Sequence, residues 1–389
     1  MNSPCDRSDE DNPVMSTQPE TAQAATARVP APSGVLALEA RHLTKHFAVR
    51  SAGGALRRRR HLHAVDDVSL GLARGAVTSV VGESGSGKSV LARMLARIIA
   101  PSAGELLLDG EPLALGQRRR HEYAAAVQLV LQDPFASMNP VHRVSHHLAR
   151  PLLIHGTPRS DLDSAMKALL RRVALDPPEQ FMDKFPHELS GGQLQRVSIA
   201  RALAVRPGVL LADEPVSMLD VSIRLGVLNL LAELREQERL AILYITHDIA
   251  SARYLADDIL VMYAGEVVER APSISLTDSP AHPYTQLLLS AAPDPGRRVS
   301  TTPADRGAPP RLIDPGPGCR FQPRCPHAME ICRRESPPVF DVAEGHQVAC
   351  WLQAPASERR GLLTTKSQHA ALRRLEPIRD KGVKEAKPP

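Results

Sequence analysis

Eight consecutive residues, Gly82-Glu83-Ser84-Gly85-Ser86-Gly87-Lys88-Ser89, fit the pattern G-x-x-x-x-G-K-[ST]. Glycines at this spacing let successive backbone N–H groups converge on phosphate oxygens, and the start of a following helix adds a favourable dipole. Lys88 would neutralise the β- and γ-phosphates of ATP, and the Ser89 hydroxyl would ligate Mg²⁺. Further along, Val209-Leu210-Leu211-Ala212 is an apolar run that ends in two carboxylates, Asp213 and Glu214. Phosphoryl transfer needs mainly positioning and charge neutralisation, so this pair completes the chemistry: Asp213 to hold Mg²⁺ through water, Glu214 to polarise the attacking water. His247 follows the apolar run Ile242–Thr246, at the strand end where α/β sheets bind ligands, and is expected to contact the γ-phosphate.

A second group of reactive residues lies near the C-terminus. Cys319, Cys325, Cys332 and Cys350 follow the spacing C-x5-C-x6-C-x17-C. Thiolates ligate zinc and iron–sulfur clusters. Structural zinc sites prefer C-x2–4-C knuckles, and none is present. The wider spacing, with Pro323 and Pro326 bracing the loop, suits a [4Fe–4S] cube better, with zinc, free thiols or disulfides as the alternatives. His327 and His346 lie nearby and read as solvated loop residues.

The elements that must position these groups follow from periodicity. Leu36–Val49 alternates like an edge strand, and a second strand is expected near Ala64–Leu72. Val77–Val81 is a short β-branched run of the kind found in buried parallel strands, and it leads into the glycine-rich turn and a helix over Ser89–Ile99. Strands are expected at Glu105–Leu108 and Val127–Leu131, followed by helical, proline-punctuated sequence from Asp133 to about His187. Leu189–Val205 reads as a helix opened by a glycine pair. Val209–Ala212 and Ile242–Thr246 read as buried strands around a helix over Ser222–Glu238. Ile259–Tyr263 and Glu266–Glu269 read as a hairpin turning at Ala264-Gly265. After Pro272 the chain reads as proline-rich and irregular.

Composition bounds the rest. With 43% hydrophobic residues but only 3% aromatic, the core must be aliphatic. A net charge of +5 on 389 residues is too mild to imply nucleic acid. No apolar run reaches the roughly 18–20 residues that span a bilayer, so any membrane role must run through partners. Residues 1–34 carry no apolar signal segment and read as a disordered tail, in which Met15 is an alternative start. With no secretory signal, the four-cysteine group suggests metal more than disulfides.

Leu189-Ser190-Gly191-Gly192-Gln193, about a hundred residues after Lys88, resembles the signature sequence of ABC ATPases. That resemblance implies an α/β P-loop NTPase fold with a RecA-like mixed sheet core, an antiparallel β subdomain and a helical signature subdomain near residues 133–190. It implies that the signature closes over the ATP of a second ATPase subunit. Gln132 matches the glutamine that contacts Mg²⁺ and relays state to the membrane partner. Ser217-Met218-Leu219-Asp220 resembles the D-loop, with Met218 where Ala is usual. Phe47 is the expected aromatic under adenine.

Three further features resemble the dipeptide and oligopeptide importers: Gln132-Asp133-Pro134-Phe135-Ala136-Ser137-Met138-Asn139-Pro140, the run Val216–Ile223, and His282-Pro283-Tyr284-Thr285. Within that group the chain looks closer to the second ATPase subunit. The resemblance implies a heterodimer of ATPases, two permease subunits and an external peptide-binding protein, working at the cytoplasmic face of the bacterial inner membrane. Members of the group carry such cysteines, some with a cluster. Nickel or glutathione are alternative cargoes. A soluble ABC ATPase is disfavoured by the single signature and the lack of heptads. The expected divisions are an ATPase domain over 35–271, a Cys-containing extension over 272–355 and a charged tail over 356–389.

Overall fold

A computed structural model describes residues 36–49, 60–113, 117–291 and 312–355. The two expected tails and the alternative start at Met15 lie outside these residues. The chain opens with β1 (Leu36–Val49), β2 (Arg60–Ala73), β3 (Val77–Val81), α1 (Lys88–Leu95), β4 (Ala103–Leu108), β5 (Glu111–Pro112), α2 (Gln117–Ala126) and β6 (Val127–Val130). A helical segment follows: α3 (Pro134–Ser137), α4 (Val144–Ile154), α5 (Leu162–Arg172), α6 (Glu179–Met182) and α7 (Gly191–Leu203). Then come β7 (Val209–Asp213), α8 (Val221–Glu238), β8 (Ala241–Thr246), α9 (Ile249–Leu255), β9 (Asp258–Tyr263) and β10 (Glu266–Pro272). The last elements are α10 (Ser273–Asp278), α11 (Pro283–Ala291), α12 (Ile331–Arg334), β11 (Phe340–Ala343) and β12 (His346–Val348).

The strands form two sheets, one ordered β2-β1-β4-β5 and one ordered β11-β12-β10-β9-β3-β8-β7-β6. In the larger sheet β9, β3, β8, β7 and β6 run parallel, while β10, β12 and β11 continue it antiparallel. Every residue of β3, β7 and β8 is buried, because layers cover both faces. Alternation divides those residues between two cores. Val80, Leu211, Leu243 and Ile245 face α1 and the antiparallel sheet. Val77, Val81, Leu210, Ile242 and Tyr244 face the helices. Burying each such aliphatic side chain contributes about 1.5–3 kcal/mol.

The helical segment packs by the same logic. Val144, Leu148 and Leu152 of α4, and Met166, Leu169 and Leu170 of α5, form buried stripes one helical turn apart around α7.

One strand expectation needs correction, and one helix was not expected. The first strand is not an edge: β1 lies between β2 and β4, with Leu38 and Leu43 fully buried. A sheet with one wet face alternates whether or not a strand is at its edge, so alternation alone could not place it. Helix α2 carries no apolar stripe to announce it; it is anchored by Tyr123, whose buried hydroxyl donates to the Leu95 carbonyl.

The segment after Pro272 is more ordered than its proline content suggests. Strand β12 pairs with β10, so this segment extends the main sheet. Its anchor is Glu269, whose side chain is fully buried. That carboxylate accepts the N–H groups of Ala281 at 2.7 Å and His282 at 3.0 Å, and lies 2.7 Å from Nε2 of His346. His346 is thus a buried partner and not the solvated loop residue expected. His282 is buried as well, and its Nδ1 accepts the Tyr284 N–H at 3.0 Å.

Burial pushes the His282 pKa from 6.5 down to about 4. The folded state therefore binds fewer protons than the unfolded one between those values, and stability falls as pH drops through that window. Going from pH 7 to pH 5 should cost about 2 kcal/mol through this one residue. Thermal unfolding followed across that range should show the loss, and His282→Asn, whose side-chain oxygen can accept in place of Nδ1, should flatten the slope. An unchanged slope in the variant would remove His282 as its source.

Candidate functional site

The turn between β3 and α1 is built where only glycine fits at two positions. A Cβ on Gly82 would lie 2.2 Å from the Met262 carbonyl oxygen, and one on Gly87 would lie 2.2 Å from that of Ala64. Gly87 also takes φ 102° as the residue preceding α1, a left-handed conformation that glycine adopts without strain. The Lys88 ammonium folds back over the turn and donates to the carbonyls of Gly82 at 2.7 Å and Glu83 at 2.9 Å. Burial lowers its pKa, and the carboxylates of Glu214, Asp213 and Glu83 oppose that fall.

Strand β7 delivers Asp213 and Glu214 to the same place. The Ser89 hydroxyl donates to Asp213 Oδ1 at 3.0 Å, and burial raises the Asp213 pKa. Glu214 sits at φ 47°, an uncommon conformation for a residue with a side chain, held by its N–H on the Ile245 carbonyl at 2.9 Å. Its Oε2 accepts from Gln132 Nε2 at 3.1 Å and lies 3.3 Å from His247 Nδ1. Three strand ends, those of β6, β7 and β8, thereby bring Gln132, Glu214 and His247 together.

These groups line one open cleft of about 750 Å³. Glu83, Ser84, Gly85, Gly87, Lys88 and Ser89 form its floor, with Gln132, Glu214 and His247 on one side and Phe47 also on the wall. Phe47 pairs with Leu62 across the antiparallel sheet, and the Lys45 ammonium lies 5.1 Å from its ring centre. Gly82, Ser86 and Asp213 are not on the lining; the last two are buried beneath it. A floor of backbone N–H groups and one ammonium, facing carboxylates and an amide, can hold a polyphosphate with a divalent cation and position a water for attack.

Ser190, Gly191, Gly192, Gln193 and Asp220 lie elsewhere, and none lines this cleft. Ser190 Oγ accepts the Gln193 N–H at 3.3 Å, while Gln193 Oε1 accepts the Ser190 N–H at 3.1 Å, a reciprocal cap at the start of α7. A Cβ on Gly192 would sit 2.3 Å from Cγ2 of Ile223, so α7 and α8 approach more closely than alanine allows. Ser190 and Asp220 are exposed, which leaves this surface open to a second molecule.

The four cysteines gather in the C-terminal segment. Cys319, Cys332 and Cys350 help form a small core with Met329, Val348 and Leu352, and the Cys319 N–H donates to the Cys332 carbonyl at 2.8 Å. Burial raises the thiol of Cys319 to about 12 and that of Cys350 further still. The thiols of Cys332 and Cys325 add to the rise at Cys319, and those of Cys325, Cys319 and Cys332 add to it at Cys350.

Two contacts were not foreseen from the residues. Tyr284 and Arg324 of the C-terminal segment both reach Glu83 in the turn. An arginine between two cysteines carries no local signal of a buried partner. His46, His63 and Asp66 also converge, with ligand atoms within 4.8 Å of one another. Arg320 already donates to the same carboxylate, placing a competing positive charge where a cation would sit. Burial alone would raise the Asp66 pKa, but the hydrogen bonds from Arg320, His46 and His63 outweigh it and hold it at about 2.

Comparison with known proteins agrees with this geometry. Residues 65–217 match the ABC transporter family, and residues 268–332 match the oligopeptide/dipeptide transporter C-terminal region. The chain is 41% identical over 321 residues to the di/tripeptide transport ATP-binding protein DppF of Pseudomonas aeruginosa, covering 80% of this chain and 96% of the relative. It is 40% identical over 321 residues to the oligopeptide transport ATP-binding protein AppF of Bacillus subtilis, covering 81% and 97%. Among solved structures, cbiO1 of Clostridium perfringens, part of the ABC transporter complex cbiONQ, aligns with a TM-score of 0.55 at 26% identity over 63% of this chain and 91% of that one. The ATP-binding cassette MJ0796, dimeric and bound to ADP and Pi, aligns with a TM-score of 0.53 at 27% identity over 61% and 98%. The chain belongs to the ATP-binding subunits of ABC transporters, in the group that carries the oligopeptide/dipeptide transporter C-terminal region.

Proposed function

We propose that this chain hydrolyses ATP to energise import of di- or oligopeptides, as a peripheral subunit at the cytoplasmic face of the bacterial inner membrane. The observation that carries this reading is the joining, in one chain, of the ATPase cleft to a C-terminal segment matching the peptide-transporter family. Among the described residues no helix is long and apolar enough to cross a membrane, so passage itself falls to partners. We assign those partners as a second ATPase subunit, two permeases and an external peptide-binding protein. We divide the chain at 271/272 into ATPase domain and extension.

Each residue then has a role. Lys88 and the N–H groups of the turn hold the phosphates, and Phe47 stacks on adenine. Ser89, Asp213 and Gln132 would hold Mg²⁺, which supplies charge neutralisation on the phosphates. Glu214 takes the proton of the attacking water, while His247 contacts the γ-phosphate. Ser190, Gly191, Gly192, Gln193 and Asp220 complete the cleft of the partner ATPase, in keeping with their place away from this chain's own cleft and the exposure of Ser190 and Asp220. Hydrolysis loosens that pairing, and the helical segment passes the motion to the permeases.

The cysteines fit a resident [4Fe–4S] cluster. Four thiols are gathered in one small segment, and the desolvation that raises those of Cys319, Cys332 and Cys350 would be offset by a metal, which stabilises thiolates. Structural zinc sites prefer C-x2–4-C knuckles, and the wider spacing of these four cysteines favours the larger cube. The cluster would cross-link an extension with little core of its own. Protein purified without air should contain about four irons per chain; stoichiometric zinc, or no metal, would refute the assignment.

Uptake of a labelled dipeptide and a labelled pentapeptide, in cells carrying the native gene or Glu214→Gln, tests the function. Loss of either uptake in the variant supports peptide import and sets cargo size. Retention of both, in cells lacking any second peptide importer, rejects it and moves nickel or glutathione to the front.

A further inference from the structure

Glu83, the second residue of the phosphate-binding turn, has all three of its polar groups engaged. Its N–H donates to the Tyr284 hydroxyl at 2.8 Å. Its carbonyl accepts from Lys88 Nζ at 2.9 Å. Its carboxylate receives both arms of Arg324, Nη1 to Oε2 at 2.8 Å and Nη2 to Oε1 at 2.9 Å. Tyr284 and Arg324 come from the C-terminal extension, 201 and 241 residues away in the chain.

Both partners are held rigidly. Tyr284 is fully buried, its ring 4.6 Å from that of Tyr263 and 5.5 Å from that of Phe321. The Arg324 guanidinium lies 5.7 Å from the Tyr263 ring centre and 5.9 Å from that of Phe321, with its side chain only 11% exposed. A planar fork fixed against aromatic faces loses little freedom when it grips a carboxylate.

The charge of Glu83 makes this grip matter for nucleotide. Glu83 lines the same cleft as Lys88 and Ser89. An unneutralised carboxylate there would repel the triphosphate and compete for Lys88, whose ammonium already contacts the Glu83 backbone. A loop held in shape beforehand also binds without paying an ordering cost.

We propose that Arg324 and Tyr284 are positioning residues for the phosphate-binding turn. Through Glu83, the C-terminal extension neutralises and holds that turn and so sets the affinity for ATP. This rests on the reading of the turn as the nucleotide site, and the test separates the two.

The experiment measures binding of a fluorescent ATP analogue, and the ATP dependence of hydrolysis, on the purified full-length chain. Arg324→Ala should raise the Kd and KM for ATP about tenfold, with kcat falling by less than KM rises. Tyr284→Phe should raise them about threefold. Glu83→Gln combined with Arg324→Ala should recover most of the lost affinity, because it removes the repelling charge; a purely structural role for Arg324 would show no such rescue. An Arg324→Ala chain that binds ATP within about twofold of the native protein overturns the inference, as does a double variant as weak as the single one. Lys88→Ala is the control. If it loses binding while Arg324→Ala does not, the nucleotide site stands and the inference falls. If Lys88→Ala binds normally, both fall.

Discussion

Glu214→Gln should lower ATP turnover by roughly 10²–10⁴, the usual contribution of a positioned general base, while leaving ATP binding intact. The reason is local. Glu214 emerges from the end of β7 at φ 47°, and that backbone geometry, pinned to Ile245, aims the side chain at Gln132 and His247. Gln has the same shape and can still accept a hydrogen bond from Gln132, so the cleft should keep its form. What is lost is the negative charge that draws a proton from water. Because the phosphates remain whole, two ATPase subunits should stay closed on them. The checks are a steady-state phosphate assay together with ATP-dependent dimerisation by size-exclusion chromatography. Hydrolysis within about tenfold of the native rate would take the proton-accepting role away from Glu214.

Lys88→Ala should act on binding itself, weakening ATP by about 100-fold, or roughly 3 kcal/mol, as expected when charge-assisted hydrogen bonds to two phosphates are lost. Lys88 is buried at the base of the turn and faces the carboxylates of Glu214 and Asp213. Removing the ammonium leaves those two carboxylates as net negative charge opposite an anionic ligand. It also frees the Gly82 and Glu83 carbonyls that Lys88 now caps. Lys88→Arg should not restore affinity, since a guanidinium needs room the 2.7 Å contact to Gly82 does not leave. Equilibrium titration with labelled ATP is the measurement; unchanged affinity for Lys88→Ala would end the assignment of this turn to phosphate. The two substitutions therefore separate: one spares Kd and removes turnover, the other removes binding first.

The cleft was legible in the residues because each of its parts is a local device. Gly82 and Gly87 are dictated by backbone that must pass within about 2.2 Å of where a Cβ would stand. The run Val209–Asp213 is buried from end to end, so its sequence is continuously apolar until the carboxylates appear. Away from the cleft, the signature helix was legible for the same reason: Ser190 and Gln193 cap it within four residues. Helix α2 escaped notice for the converse reason: ten residues with no apolar periodicity gave nothing to detect.

By itself the sequence determined the glycine-rich turn, the two carboxylates that end β7, the helix opened by Gly191 and Gly192, and the buried strands, since spacing over a few residues sets backbone shape and face. Only the tertiary structure decided that β1 lies inside its sheet, that His282, Glu269 and His346 anchor the extension, and that Arg324 and Tyr284 grip Glu83. Those pairs are made by sheet order and by packing between segments up to 241 residues apart. A charged residue whose partner is that distant looks, along the chain, the same as one that faces water.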